Sequence, residues 1–164
     1  MHEETVVGDS SPLIALAIID QLALLPQLYA RVVVPQEVWE EVTVRGAGLP
    51  GALELRQLSW LKVEYPPVDL LLPLTVLVGR GEAQAIALAL ARPGSTALLD
   101  DALARRVAER FGVKRIGTLG LLRRAKQRGL IEAIKPFVQQ LQANGIFIRQ
   151  SLVEAVLQDV GEWP

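Results

Sequence analysis

A three-layer α/β/α fold around a central, mostly parallel sheet is expected from three features of this 164-residue sequence. Short β-branched or apolar runs alternate with helical segments, the rhythm of parallel strands joined by helical crossovers. Two of those runs, Thr5–Gly8 and Thr96–Leu99, read as buried strands that stop at acids, Asp9 and the pair Asp100-Asp101. Between them lies a Gly-led helix whose stretch Ala85–Ala91 is apolar on every side and should be covered all round.

Thr5-Val6-Val7-Gly8 is the first strand, and Ser10-Ser11-Pro12 opens a helix with Pro in its first turn. That helix runs to Ile19, and Leu22–Tyr29 forms a second helical stretch. Arg31–Val34 is a β-branched strand that Pro35 ends. Pro35–Val42 is then a helix with Val38 and Val42 inward, Glu41 flanking the apolar face, and Glu37 and Glu40 in water. Gly46–Gly51 is a loop and Trp60–Tyr65 an edge strand. Pro66, Pro67 and Pro73 then break the chain into loop or short irregular helix. In the helix after Gly79, Glu82 shares a stripe with Ala85 and Ile86, and Gln84 lies roughly opposite, at ~100° per residue. Ala102–Ala108 is a helix with Leu103, Val107 and Ala104 facing the sheet. Val113–Ile116 is the last strand, and Gly117-Thr118 opens another helix. Ile131–Ala143 reads as helical despite Pro136, and a stripe from Ile148 to Val160 marks a final helix that closes the core or pairs with another chain.

Composition removes several chemistries. Without cysteine there is no disulfide, thiol nucleophile or Cys-based zinc site. The one histidine, His2, sits near a terminus expected to fray, which removes His-dependent triads and His-rich metal sites. The longest apolar run, Leu13–Ile19, is too short to span a bilayer, and the acidic opening Met1–Glu4 is not a signal-peptide pattern. One domain over residues 1–164, without membrane association and in the cytoplasm, is the expectation. A net charge of −1 hides nine bases against one acid between Ala102 and Arg128. Such a stripe can hold a polyanion or simply face solvent.

The remaining chemistry is carboxylate chemistry. An inward carboxylate costs several kcal/mol unless a positive group meets it. Asp9, Glu41, Glu82, and Asp100 or Asp101 sit at successive strand and helix ends, with no base expected among them, and magnesium or manganese suits such oxygen donors. Gly79-Arg80-Gly81 imitates a dinucleotide fingerprint, but Gln84 replaces its third small residue and Glu82 would repel a pyrophosphate. Asp9 as a phosphoryl-accepting aspartate lacks a second acid at Ser11, and Lys114 is poorly placed to assist.

The segments Val6–Ile14, Val34–Val42, Gly81–Ile86, Leu98–Arg105 and Ile116–Leu122 together resemble those of PIN-domain proteins, most closely a prokaryotic branch related to the toxins of toxin–antitoxin pairs. They span residues 5 to about 130; the helices of 131–160 fall outside them. The resemblance implies a Mg²⁺- or Mn²⁺-dependent ribonuclease acting on RNA. It implies Asp9, Glu82 and Asp100 or Asp101 as metal ligands, with Glu41, or alternatively Glu40, as a further acid. Ser10, Thr118 and Arg105 would position substrate or water. The related toxins usually carry an aspartate where Glu82 stands. A small antitoxin partner and a homodimer are also implied. The alternatives are a non-catalytic nucleic-acid- or protein-binding module on the same fold and, more remotely, a dinucleotide-binding domain.

Overall fold

A computed structural model describes residues 4–164; His2 and the opening Met1–Glu3 lie outside them. The chain runs β1 (Thr5–Gly8), α1 (Ser10–Ile18), α2 (Leu24–Leu28), β2 (Arg31–Pro35) and α3 (Gln36–Glu40), which widens into a π turn over Glu41–Arg45. Next come α4 (Ala52–Arg56), β3 (Leu61–Glu64), α5 (Val68–Leu71) with a 3₁₀ turn at Leu72–Leu74, and α6 (Arg80–Ala91). β4 (Thr96–Leu98), α7 (Ala102–Arg110), β5 (Lys114–Ile116), α8 (Thr118–Gln127), α9 (Lys135–Ala143) and α10 (Gln150–Asp159) complete it.

The described strands form one sheet in the order β3-β2-β1-β4-β5, and every pairing is parallel. Alternation along each strand splits the core into two layers. Val6, Val32, Val34 and Leu98 face α1, α2 and α8–α10, while Val7, Val33, Ala97 and Leu99 face α6 and α7. The chain builds outward from β1 through β2 to β3, then returns to the other side of β1 with β4. The strand order therefore reverses between β1 and β4, the place where open α/β sheets leave a crevice at their carboxyl ends. Asp9 and Asp100 follow those two strands. The Asp9 N–H donates to the Leu98 carbonyl at 3.1 Å, which fixes one end to the other.

Several local expectations change. Residues 131–134 are not helical: α9 starts at Lys135, with Pro136 in its first turn, where a missing N–H is harmless. Leu103 is 47% exposed, and α7 turns Ala104, Val107 and Ala108 inward, because Asp101 caps the helix and fixes its phase. Gln84, whose burial the sequence leaves open, is buried with Ala83–Ala89 of α6, and its Oε1 accepts the Glu37 N–H at 3.1 Å. No strand precedes Gly79, since Thr75–Leu77 is turn, and this removes the dinucleotide comparison. No described helix is long and apolar enough to cross a membrane.

The C-terminal segment is fastened by Glu162. Its carboxylate accepts the Ile134 and Lys135 N–H groups at 2.8–3.0 Å and Lys126 Nζ at 2.8 Å, satisfying the start of α9. Burial alone would raise this carboxyl, but Lys126 and the two backbone donors leave it below its ordinary value. A depressed carboxylate stabilises the fold above its unfolded pKa and loses that effect as pH falls through the folded value. Glu162→Ala is expected to lower the thermal midpoint at pH 7 by a few degrees, about 1–2 kcal/mol of lost capping. Scanning calorimetry should show the gap from wild type closing in acid.

Candidate active site

The site is assembled at the carboxyl edge of the sheet, from the starts of α1, α6, α7 and α8 and from the face of α3. Asp9 lies on its floor, 6% exposed. Glu82, in the first turn of α6, is half-buried beside it; Glu41, Asp100 and Asp101 form an exposed rim. Burial is the main cause that raises the Asp9 carboxyl, to about 7. The Ser10 N–H opposes the rise, and the charges of Glu82, Glu41 and Asp100 add to it. Glu82 is also raised, by burial first, then by the charge of Asp101 and a hydrogen bond with it, and by Glu41.

Each rim acid is held by a donor from elsewhere. Ser10 Oγ donates to Glu41 Oε2 at 2.8 Å. Thr118 clasps Asp100 twice, its N–H to Oδ1 at 2.7 Å and its hydroxyl to Oδ2 at 2.5 Å. Asp101 Oδ2 accepts the Ala104 N–H at 2.9 Å and caps α7. Glycine stands at two close approaches. A Cβ on Gly81 would lie 3.3 Å from Glu41 Oε2 and 3.4 Å from Asp9 Oδ1, filling the gap between the two carboxylates. A Cβ on Gly117 would lie 3.0 Å from Asp100 Oδ1.

Two hollows meet at Ser11. The acidic cleft, about 350 Å³, is lined by Asp9, Ser10, Glu41 and Glu82, but also by Glu37, Arg45 and Arg80. Bases therefore do stand among the acids, contrary to the expectation. Glu37 is not in water either: it is 9% exposed, with Oε1 2.7 Å from Arg45 Nη2 and Oε2 3.6 Å from Arg80 Nη2. The spacing Glu37, Glu41, Arg45 is the available signal, since residues four apart share a helix face. Arg80 gives none, because its partner is distant in sequence. Of the two adjacent glutamates, Glu41 reaches Ser10, while Glu40 accepts from Gln36 at 2.9 Å. The second hollow is a groove of about 1210 Å³ that contains Asp100, Asp101, Thr118 and Arg105. Arg105 Nε is buried with no hydrogen-bond partner among the described residues.

A family model described as DUF3368, PIN domain, matches residues 5–162. The chain belongs to the PIN-domain family. No curated protein matches it. PIN domains are generally nucleases, bind nucleic acid, and typically use divalent metal ions. In this PIN domain the donors are carboxylate and hydroxyl oxygens, the type a hard divalent cation prefers, and the gap kept by Gly81 lies between two of them. Among the described residues, however, no three acidic or imidazole side chains are gathered closely enough to hold an ion as they stand. The donor chemistry fits, and closer convergence of the side chains is what binding would have to add.

The raised Asp9 carboxyl sets a pH dependence for the metal-free PIN domain. An acid whose folded pKa is raised holds its proton in the folded state after the unfolded chain has released it, so stability falls as pH rises from about 4 to about 7. Asp9→Asn is expected to remove that slope. Above pH 7 in EDTA the variant should unfold at a higher temperature than wild type, by up to about 4 kcal/mol from linkage. Melting curves at pH 4.5 and 8 read the difference.

Proposed function

We propose that this PIN-domain protein is a cytoplasmic endoribonuclease that hydrolyses RNA phosphodiester bonds with Mg²⁺ or Mn²⁺. The observation that carries the reading is Asp9, a buried acid at the strand-order reversal, with Glu41, Glu82 and Asp100 raising its pKa and with no base paired to it among the described residues. Asp9, Glu82 and Asp100 or Asp101 would hold the cation, with Glu41 as a further ligand or the acid that orients water. A divalent ion in such a site supplies Lewis acidity and an activated water for attack on phosphorus. The chain's own part is positioning. Ser10 steers Glu41, Thr118 fixes the plane of Asp100, and Gly81 keeps the space between Asp9 and Glu41 open. Arg45 and Arg80, moored on Glu37, together with Arg105, face the phosphate backbone without reading sequence. A toxin role, with a small antitoxin over the acidic cleft, and a homodimer belong to the same proposal.

The non-catalytic binding module is the second reading, favoured by the lack of three gathered acids among the described residues. Isothermal calorimetry with Mn²⁺ and a labelled RNA decide between them. Wild type should bind Mn²⁺ and Asp9→Asn should not. Glu82→Gln should lose cleavage by more than the ~10–100-fold typical of removing a support to a metal ligand, and Thr118→Val by about that much. Mn²⁺ binding undiminished in Asp9→Asn sinks the proposal. Salt-sensitive RNA binding without cleavage selects the module.

A further inference from the structure

The link between α9 and α10 carries a feature that the acidic cleft does not use. α9 closes at Gly145, whose φ of +82° a side chain would resist, and the Ile146 N–H returns to the Leu141 carbonyl at 3.0 Å. Residues 146–149 then run without regular structure into α10. Ile146 and Ile148 pack against the core, while the intervening Phe147 is 88% exposed and Arg149 beside it is exposed too. The alternation anchors the segment and presents one aromatic ring and one guanidinium. Both line the groove that contains Asp100 and Thr118, together with Arg105, Arg115 and Arg123. Arg115 and Arg123 make partly exposed ion pairs with Glu109 and Asp159, at 3.1 and 3.3 Å, of the kind that yields readily to another anion. Arg105 and Arg149 make none among the described residues.

We propose that Phe147 is a stacking platform for an unpaired base of single-stranded RNA, and that Arg105 and Arg149 hold the adjoining phosphates. The proposal rests on the ribonuclease reading of the acidic cleft, which the groove joins. An exposed ring beside guanidinium groups matches a polyanion that carries flat apolar faces. An apolar protein surface would instead leave those cations desolvated and unpaired. A duplex keeps its base faces stacked away from the ring, so the strand must be single. Phe147 is thus a positioning residue that acts on binding, not on the hydrolytic step.

Fluorescence anisotropy in EDTA, with a 5′-fluorescein uridine 12-mer and the same strand made abasic, tests it on the full chain. Phe147→Ala should weaken binding to the base-bearing strand by about tenfold or more and leave the abasic strand unchanged, while Phe147→Trp should retain or tighten the first. Arg149→Ala should weaken both strands and reduce the salt slope by about 0.7. Equal affinity of wild type and Phe147→Ala for the uridine strand overturns the proposal, as does an equal loss on both strands. A drop in sedimentation mass on Phe147→Ala would make the ring a protein contact and also overturn it. With metal restored, undiminished cleavage by Glu82→Gln would reject the catalytic reading alone, leaving the stacking result in place. Failure of wild type to bind either strand in EDTA overturns the stacking proposal and leaves the catalytic reading to the metal-restored cleavage assay.

Discussion

The constraint on which the structure turns is that like charges must be held near one another around a buried acid. Two unit charges ~6 Å apart repel by roughly 3 kcal/mol at an effective permittivity of 20, and by under 1 kcal/mol in water. Asp9 is the most deeply buried acid of the proposed ligand set; Glu41, Asp100 and Asp101 lie on the exposed rim, where the smaller figure is nearer. A hydrogen bond to a charged group contributes about 1.5–3 kcal/mol. Ser10, Thr118 and the Ala104 N–H each provide one or two such bonds to a rim acid, enough to offset the repulsion there. Asp9 has the Ser10 N–H against both burial and three neighbours, and its raised pKa is the unbalanced remainder.

The all-parallel sheet is what makes this arrangement tolerable. Every strand runs the same way, so the helices after β1, β4 and β5 begin at the same edge, and α6 adds its own start there. Asp9 and Asp101 occupy N-cap positions of α1 and α7, Glu82 the first turn of α6, and Asp100 meets the first N–H of α8. Each helix N-terminus carries about half a positive charge, and each nearby acid gains about 0.3–1 kcal/mol from it. The same topology that creates the crevice therefore supplies part of the field that tolerates acids in it.

Local pattern makes part of this legible in the sequence. Asp9 can be read because a buried strand ends there and a serine-rich helix start succeeds it. Glu82 can be read because an apolar helix leaves few reasons for an acid in its first turn. Asp100 and Asp101 stay a pair at that level, because a strand end does not say which neighbour caps the next helix; here Asp101 does, and that choice also rotates Leu103 outward. Glu37 reads as a solvated acid because its two arginine partners lie eight and forty-three residues away, the second visible only once α3 packs on α6. Pro136 reads as a break tolerated inside a helix, whereas it marks the first turn, a phase that Glu162 helps to settle from across the chain.

The basic run divides in the same way between local and tertiary causes. Arg115, Arg123, Arg124 and Lys126 are ion-paired, to Glu109, Asp159, Glu4 and Glu162. Arg124 also lies 5.0 Å from the Tyr29 ring centre and donates to its hydroxyl at 3.1 Å, so it ties α8 to α2 and is not offered to a ligand. The stripe counted along the sequence thus overstates the field that a passing polyanion meets. Arg106, Arg110, Lys114 and Arg128 are exposed away from the groove. On the groove itself the unpaired bases are Arg105, whose buried Nε has no partner among the described residues, and Arg149, which stands exposed. Positive charge on the groove wall and negative charge at the cleft floor lie in two hollows that meet at Ser11, in the first turn of α1. Under the proposed function an anionic strand would be attracted along the first, and at the second a bound cation would add to Arg45 and Arg80 in offsetting the acids as a phosphate approaches Asp9.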